Sequence, residues 1–348
     1  MQHIEPPFYI AIDNSWMRLI ELNTGGSRDK SVFLAPTKET FYFKTSMENG
    51  RKNYTFEFWS EIVAAKLGQL LNLNVLDYNI ASVGDKIGCI SKNMIRLGEE
   101  ELVEGVNSII EFEPDFKDFC RNSHHISKIE RALNSVGLIE YKRLVVEMIL
   151  FDCIIGNTDR HSENWALIRS KIGENFYSEI MNQSFFKKMK TFWYIHKQTG
   201  FPFFQIPKLL ALGRYRFAPF YDNGSSLGRE LDEQKIQELI ENEDKFLNFH
   251  SSRKGKSDII VSNEKTSFLE TIDFLIEHYP IECTHFINNH LSKYNKTTLE
   301  MLVNNIDFRY PSTGFERYRI SQARKLFMVK LIDARINFIY DTLSRYGK

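Results

Sequence analysis

The chain has 348 residues, 43% hydrophobic and 14% aromatic, enough apolar material for a substantial core and two lobes. Its 45 basic and 45 acidic side chains cancel, so the overall charge announces neither a polyanion-binding protein nor an acidic tail. Cys89, Cys120, Cys153 and Cys283 stand too far apart for a C-x-x-C site or a short secreted framework, which leaves reduced thiols as the expectation.

Residues 1–22 carry Glu5, Pro6, Pro7 and Asp13 where a signal peptide has a basic start and an apolar core. No ordinary signal peptide is expected, and the chain reads as cytoplasmic. Runs of β-branched and aromatic residues at 31–34 and 40–44 flank a turn containing Pro36 and predict a hairpin. Over 56–71, Trp59, Val63, Leu67 and Leu70 fall on one helical face. Residues 75–83 and 87–95 read as two further strands around the tight turn Gly84-Asp85-Lys86. After the acidic stretch Glu99, Glu100, Glu101 and Glu104, helical periodicity takes over, clearest over 141–155, where Leu144, Met148, Phe151 and Ile155 recur. The pattern predicts an α+β chain: a β-rich N-terminal lobe over 1–103 and a mainly helical C-terminal lobe over 104–348. Glu147 and Asp152 interrupt the apolar run at 144–155, which is too short to cross a bilayer, so no membrane span is expected. A last helix carries the stripe Phe327, Leu331, Ala334 and Phe338.

The helix ending at Ile155 leads into Gly156-Asn157-Thr158-Asp159-Arg160-His161-Ser162-Glu163-Asn164. Phosphoryl transfer needs a carboxylate to orient the attacking hydroxyl and accept its proton, and oxygen ligands for the metal that bridges the phosphates. Asp159 and Asn164, five positions apart, supply both at the interval of the protein-kinase loop H-R-D-x-x-x-x-N. Asp222, in Phe217-Ala218-Pro219-Phe220-Tyr221-Asp222-Asn223-Gly224, is the candidate for the main Mg²⁺ ligand, against the plainer reading of an Asx-Gly turn. Lys44 ends the strand Phe41-Tyr42-Phe43, where a kinase places the lysine that contacts nucleotide phosphates. Glu57 and Glu61 share a helix face, so either can partner it. Gly25-Gly26-Ser27-Arg28-Asp29-Lys30 offers backbone N–H groups to phosphates or is an ordinary hairpin-edge loop; it is not G-x-G-x-x-G.

Taken together, these blocks resemble the HipA-like serine/threonine kinases. Gly26-Ser27-Arg28-Asp29-Lys30 looks like the family's phosphate loop, Phe43-Lys44 like its nucleotide-lysine strand, and Ser60-Glu61 with Ala64-Ala65 and Leu67-Gly68 like its regulatory helix. Phe151-Asp152, Gly156 to His161 with Asn164, and Ala218 to Leu227 look like its two catalytic blocks. The resemblance implies a bilobal kinase-like fold that transfers the ATP γ-phosphate to a serine or threonine of a protein acceptor, commonly with autophosphorylation and with Mg²⁺. It implies Asp159 as catalytic aspartate, Asn164 and Asp222 as metal ligands, Gly26, Ser27, Lys30 and Lys44 as nucleotide contacts, and Glu61 in preference to Glu57 as the lysine's partner. A proinflammatory member of the family raises export and a host-protein acceptor as further expectations.

Three departures mark limits of that likeness. Only 24 residues precede Gly25, too few for the extra N-terminal domain of HipA toxins, so that domain is expected to be absent and a HipB-like antitoxin partner is in doubt. Ser162-Glu163 stands where many relatives carry a glycine. Asn164 and Asp222 lie 58 positions apart (222 − 164), which predicts an insertion over 171–216. Its Lys187, Lys188 and Lys190 followed by Phe192, Trp193 and Tyr194 read as a packed surface element in preference to a nucleic-acid dock, and no nucleic-acid partner is expected.

Asp159-Arg160-His161-x-x-Asn164 also looks like the loop of phosphoinositide-type lipid kinases; in either reading His161 is a catalytic candidate that polarises the nucleophile or supports the loop, against the plainer role of a structural hydrogen bond. The neutral charge balance advertises no membrane-facing surface, so a protein acceptor is preferred. A pseudokinase acting as an interaction module is the remaining alternative, opposed by the presence of Lys44, Asp159, Asn164 and Asp222 together.

Overall fold

The computed structural model describes residues 4–19, 30–49, 52–111, 113–114, 116, 124–252 and 255–347. In chain order the first elements are β1 (Tyr9–Ile12), β2 (Met17–Leu19), β3 (Lys30–Leu34), β4 (Thr40–Thr45), β5 (Glu48–Asn49), β6 (Lys52–Asn53), α1 (Glu57–Leu70), β7 (Asn79–Val83), β8 (Lys86–Lys92) and β9 (Glu100–Glu104). Then come α2 (Gly105–Ile110), α3 (Ile126–Ser135), α4 (Lys142–Ile155), β10 (Ala166–Ser170), α5 (Lys171–Met181), α6 (Phe185–Thr199), α7 (Ile206–Leu212) and β11 (Tyr215–Phe217). The chain ends in α8 (Glu233–Glu241), α9 (Glu243–His250), α10 (Phe268–His278), α11 (Pro280–Asn289), α12 (Lys296–Asn304) and α13 (Gln322–Arg345). By packing it forms two compact units: one of Met1–Asn93, Val146–Arg160 and Pro219–Lys348, the other of Met94–Val145 and His161–Ala218. Neither unit is contiguous in the sequence.

In the first unit six strands form one sheet in the order β1-β7-β8-β4-β3-β2. β1 runs parallel to β7, and the other pairs are antiparallel. The predicted hairpin is β3–β4, closed by the Ala35 N–H donating to Glu39 O at 2.8 Å. The β7–β8 turn uses Gly84 at φ +57°, which glycine adopts without steric cost. Ile12, Phe33, Phe43, Ala81 and Ile90 bury one cluster of side chains on this sheet. The strand predicted from 75 starts only at Asn79. Val75 is instead wedged against Gly68 of α1, where an added Cβ would come within 2.3 Å of its Cγ1, and makes an isolated bridge to Phe220.

Helix α1 is buried almost all round, polar residues included, and the chain leaves it through Asn72 at φ +59°. Helix α4 is buried from Val145 to Ile155, Glu147 and Asp152 included, and stops at Gly156, φ +72°. The predicted C-terminal stripe packs as expected: Phe327 and Leu331 of α13 close a core with Ile236, Leu239 and Phe246 of α8 and α9.

The second unit holds the sheet β11-β10-β9, antiparallel throughout. Gly105 is needed there because a Cβ would sit 2.1 Å from the buried Trp165 ring. Residues 171–212 are helical, α5 to α7, around a small core of Ile180, Phe192 and Ile206. Among the described residues no helix is long and apolar enough to cross a membrane.

Candidate active site

The last residues of β4 set the geometry. Lys44 pairs with Cys89 in the β4–β8 ladder, and Gly88 leaves room for the strand, since a Cβ there would lie 2.1 Å from the Lys44 carbonyl oxygen. The ammonium is 7% exposed by residue and donates to Glu61 Oε2 at 2.9 Å and to Asp222 Oδ1 at 2.5 Å. Lys30, opposite Lys44 in the hairpin register, brings a second ammonium 3.9 Å from Asp222 Oδ2. Glu61 also accepts the Asn223 N–H on Oε1 at 2.6 Å, so one fully buried carboxylate grips both the strand lysine and the loop of Asp222. Glu57, the other candidate partner, faces Arg229 and accepts the Met47 N–H at 3.1 Å. Charges this deep persist only when paired and hydrogen-bonded. Burial first, then the Glu61 carboxylate, pushes the neighbouring Cys89 thiol well above its usual range, which makes it a packing group.

Asp222 holds φ +55°, a conformation that asparagine and aspartate tolerate better than most residues. Gly224 is required for a different reason: a Cβ would approach Glu61 Oε2 to 2.8 Å. The Asx-Gly signal is therefore two requirements, a left-handed aspartate and a close approach to α1.

Behind this loop lies a clamp that sequence reasoning missed. Arg160, 1% exposed, donates from Nε and Nη2 to the two oxygens of Asp152 at 2.9 and 2.8 Å. Its remaining donors reach the Tyr221 carbonyl at 2.5 Å and Asn223 Oδ1 at 2.6 Å. Burial opposes the guanidinium charge, but the Asp152 carboxylate outweighs it and holds the group more firmly protonated than usual. The clamp thus ties the end of α4 to both flanks of Asp222. A carboxylate inside the apolar run of α4 was the available signal, because it demands a buried partner.

Asp159 sits on the same frame. Its N–H donates to Asn157 Oδ1 at 3.2 Å, and Asn157 in turn donates its amide to Asp152 Oδ1 at 3.0 Å. The Ser225 hydroxyl donates to Asp159 Oδ2 at 3.2 Å, and Thr158 N–H donates to Ser225 O at 3.1 Å, so Asp159 is joined to the Asp222 loop within the first unit. The structure brings together Lys30, Lys44, Glu61, Asp159 and Asp222 in that unit. His161 and Asn164 belong to the second: His161 Nδ1 accepts the Glu163 N–H at 3.3 Å, and buried Asn164 donates its N–H to His161 O at 2.9 Å. Gly26 and Ser27, the expected phosphate loop, lie outside the described residues.

No family model matches the chain. It is 21% identical over 330 residues to the serine/threonine-protein kinase CtkA of Helicobacter pylori, which covers 91% of this chain and 82% of that protein. The crystal structure of an H. pylori proinflammatory kinase CtkA superposes with a TM-score of 0.70 at 17% identity, covering 97% of each chain. The Shewanella oneidensis HipA, solved with HipB and its operator DNA, aligns at a TM-score of 0.47 and 10% identity over 98% of this chain and 68% of that one. The likeness read from the residues is thus met in sequence and in fold: the chain is similar to CtkA along nearly its whole length and shares its α+β, kinase-like architecture.

Proposed function

We propose that the chain is an ATP- and Mg²⁺-dependent serine/threonine protein kinase that also phosphorylates itself. The observation that carries this reading is the shared ammonium of Lys44, held between Glu61 on α1 and Asp222, with Asp159 tied through Ser225 to the same loop. A hard carboxylate ligand with two ammoniums beside it is the donor set that a metal-bound polyphosphate requires, so the residues fit the nucleotide and its ion. When bound, Mg·ATP supplies the transferable γ-phosphoryl group and neutralises part of its charge.

The protein's own work is positioning. Lys44, with Lys30, offers positive charge to phosphate oxygens, and Glu61 fixes the direction of the Lys44 ammonium. Asp222 offers the metal its carboxylate, with Asn164 proposed as a second ligand on loop spacing. Asp159, with Oδ2 held by the Ser225 hydroxyl, orients the acceptor hydroxyl and takes its proton. Residues 1–103 act in this reading as the nucleotide lobe and 104–348 as the catalytic lobe, with His161 bracing the loop. The H. pylori relative is described as proinflammatory, and we extend to this chain an effector role on a host protein.

Incubation with γ-labelled ATP and Mg²⁺ tests the reading. The parent is expected to label itself and a generic protein acceptor, and Asp159→Ala to lower the rate by about 10²–10⁴-fold, with Asp222→Ala at least as severe. A parent that labels neither sinks the kinase assignment, and label passing only to phosphoinositide vesicles replaces it with a lipid kinase. The effector role fails if the chain is found only in washed producing cells and never in the medium.

A further inference from the structure

Away from Lys44 and Asp222, Glu147, His285 and His290 converge within the first unit. Their ligand atoms all lie within 4.8 Å of one another. Glu147 is on the first turns of α4, His285 on α11 and His290 just beyond its end. Glu147 Oε1 is 2.9 Å from His285 Nδ1 and 3.7 Å from His290 Nε2. Those two separations bracket the edge of about 3.4 Å expected between ligands of a tetrahedral ion with bonds of about 2.1 Å.

The second observation concerns His290 itself, which is 8% exposed. Its Nδ1 lies 2.9 Å from the Leu71 carbonyl oxygen, which can only accept, so Nδ1 carries the proton. In the neutral ring Nε2 then holds the lone pair, and it is buried with no hydrogen-bond partner. A buried acceptor without a donor costs free energy comparable to a lost hydrogen bond. An imidazole whose Nδ1–H is fixed by a backbone carbonyl, with Nε2 aimed at a carboxylate and a second imidazole, is the arrangement that orients a metal-ligating histidine.

We propose that Glu147, His285 and His290 bind a divalent transition ion of the zinc class. Two imidazoles and one carboxylate favour that class over Mg²⁺ or Ca²⁺, which take all-oxygen ligand sets. On binding, two new metal–nitrogen bonds and one metal–oxygen bond form. The Nδ1 proton of His285 is lost to solvent or carried on Nε2, which the one-third exposure of its side chain permits. The ion would join α4 and α11 directly and, through the His290–Leu71 bond, the end of α1, the helix that carries Glu61. The site is independent of the kinase reading.

The test uses the full chain without an affinity tag, stripped with EDTA and titrated with Zn²⁺ or Co²⁺, with Mg²⁺ as control. Expected are one equivalent of Zn²⁺ or Co²⁺ bound, a Co²⁺ spectrum of low-coordinate N/O type, and a melting temperature that rises with Zn²⁺ and falls back with EDTA. His290→Ala and His285→Ala should each weaken Zn²⁺ binding by at least about 100-fold and abolish the thermal shift. His285 is the partly exposed ligand, so its variant keeps the fold if His290→Ala does not. Absence of stoichiometric binding to the parent, which would mean a buried water or shared proton only, overturns the proposal. So does unchanged affinity in a folded His285→Ala, or an equal response to Mg²⁺.

Discussion

The frame around Asp222 and the helices α5 to α7 use their side chains in opposite ways. In the first, Glu57, Glu61, Asp152 and Arg160 are all within 1% of full burial, each with charged or backbone partners. In the second, Phe186, Phe204 and Phe185 are 84%, 78% and 69% exposed around a core of three buried residues. Burial of four charges is a poor way to gain stability, because desolvation cancels much of the attraction. Its presence marks a region arranged for geometry. The aromatic helices show the reverse: apolar composition alone does not make a core.

Breaking the clamp should give a stability effect as large as any expected here. Arg160→Met leaves Asp152 buried without its cation, and a loss of about 3–5 kcal/mol is expected in denaturant unfolding. Adding Asp152→Leu should restore much of that loss without restoring phosphotransfer, since Asp159 and Asp222 would lack their support. A single variant within about 0.5 kcal/mol of the parent would show that the clamp is not what holds the loop.

Next comes the joint between α4 and the loop. Gly156→Ala forces a side chain onto φ +72° and brings its Cβ to 2.4 Å from Arg335 Nη1, which donates to Cys153 O. A cost of about 1–2 kcal/mol is expected from the backbone conformation alone, read as a lower denaturation midpoint at unchanged slope.

How much of this was legible follows from the range of the interactions. The β3–β4 hairpin, α1 and α4 carry their signal in local periodicity, and all three formed where that periodicity placed them. The loop from Gly156 to Asn164 was visible because its polar residues follow a buried helix abruptly. What periodicity cannot carry is pairing across the chain. Glu61 and Glu57 share a helix face and differ only in that Glu61 meets Lys44 and the Asn223 N–H. The Arg160–Asn223 bond spans 63 positions and the Glu147–His285 contact 138, with no local trace of either. The two packing units are assembled from separated segments, an arrangement that local periodicity does not carry.

A pH-dependent effect separates the core. His250 of α9 stacks on Phe246, and burial first, then the Arg335 charge, lowers its pKa from 6.5 to about 4. The folded value is depressed, so the unfolded chain binds the extra proton. The contribution is full above pH 6.5 and is lost as pH falls towards about 4. His250→Phe should flatten the stability profile across that window, measured by unfolding at pH 7, 5.5 and 4.5; an unchanged slope would assign the acid sensitivity elsewhere.

The least effect is expected where the comparison is most visible to the eye. Phe186→Ser removes a ring that is 84% exposed on α6, and stability should stay within about 0.5 kcal/mol of the parent. The same substitution at Phe192, 3% exposed and packed with Ile180 and Ile206, should cost about 3–5 kcal/mol. The two phenylalanines sit six positions apart on one helix, so propensity and composition change alike and only burial differs. Equal losses at both would mean that the outer face of α6 is covered in solution, and the contrast with the charged frame would then be one of partners and not of packing.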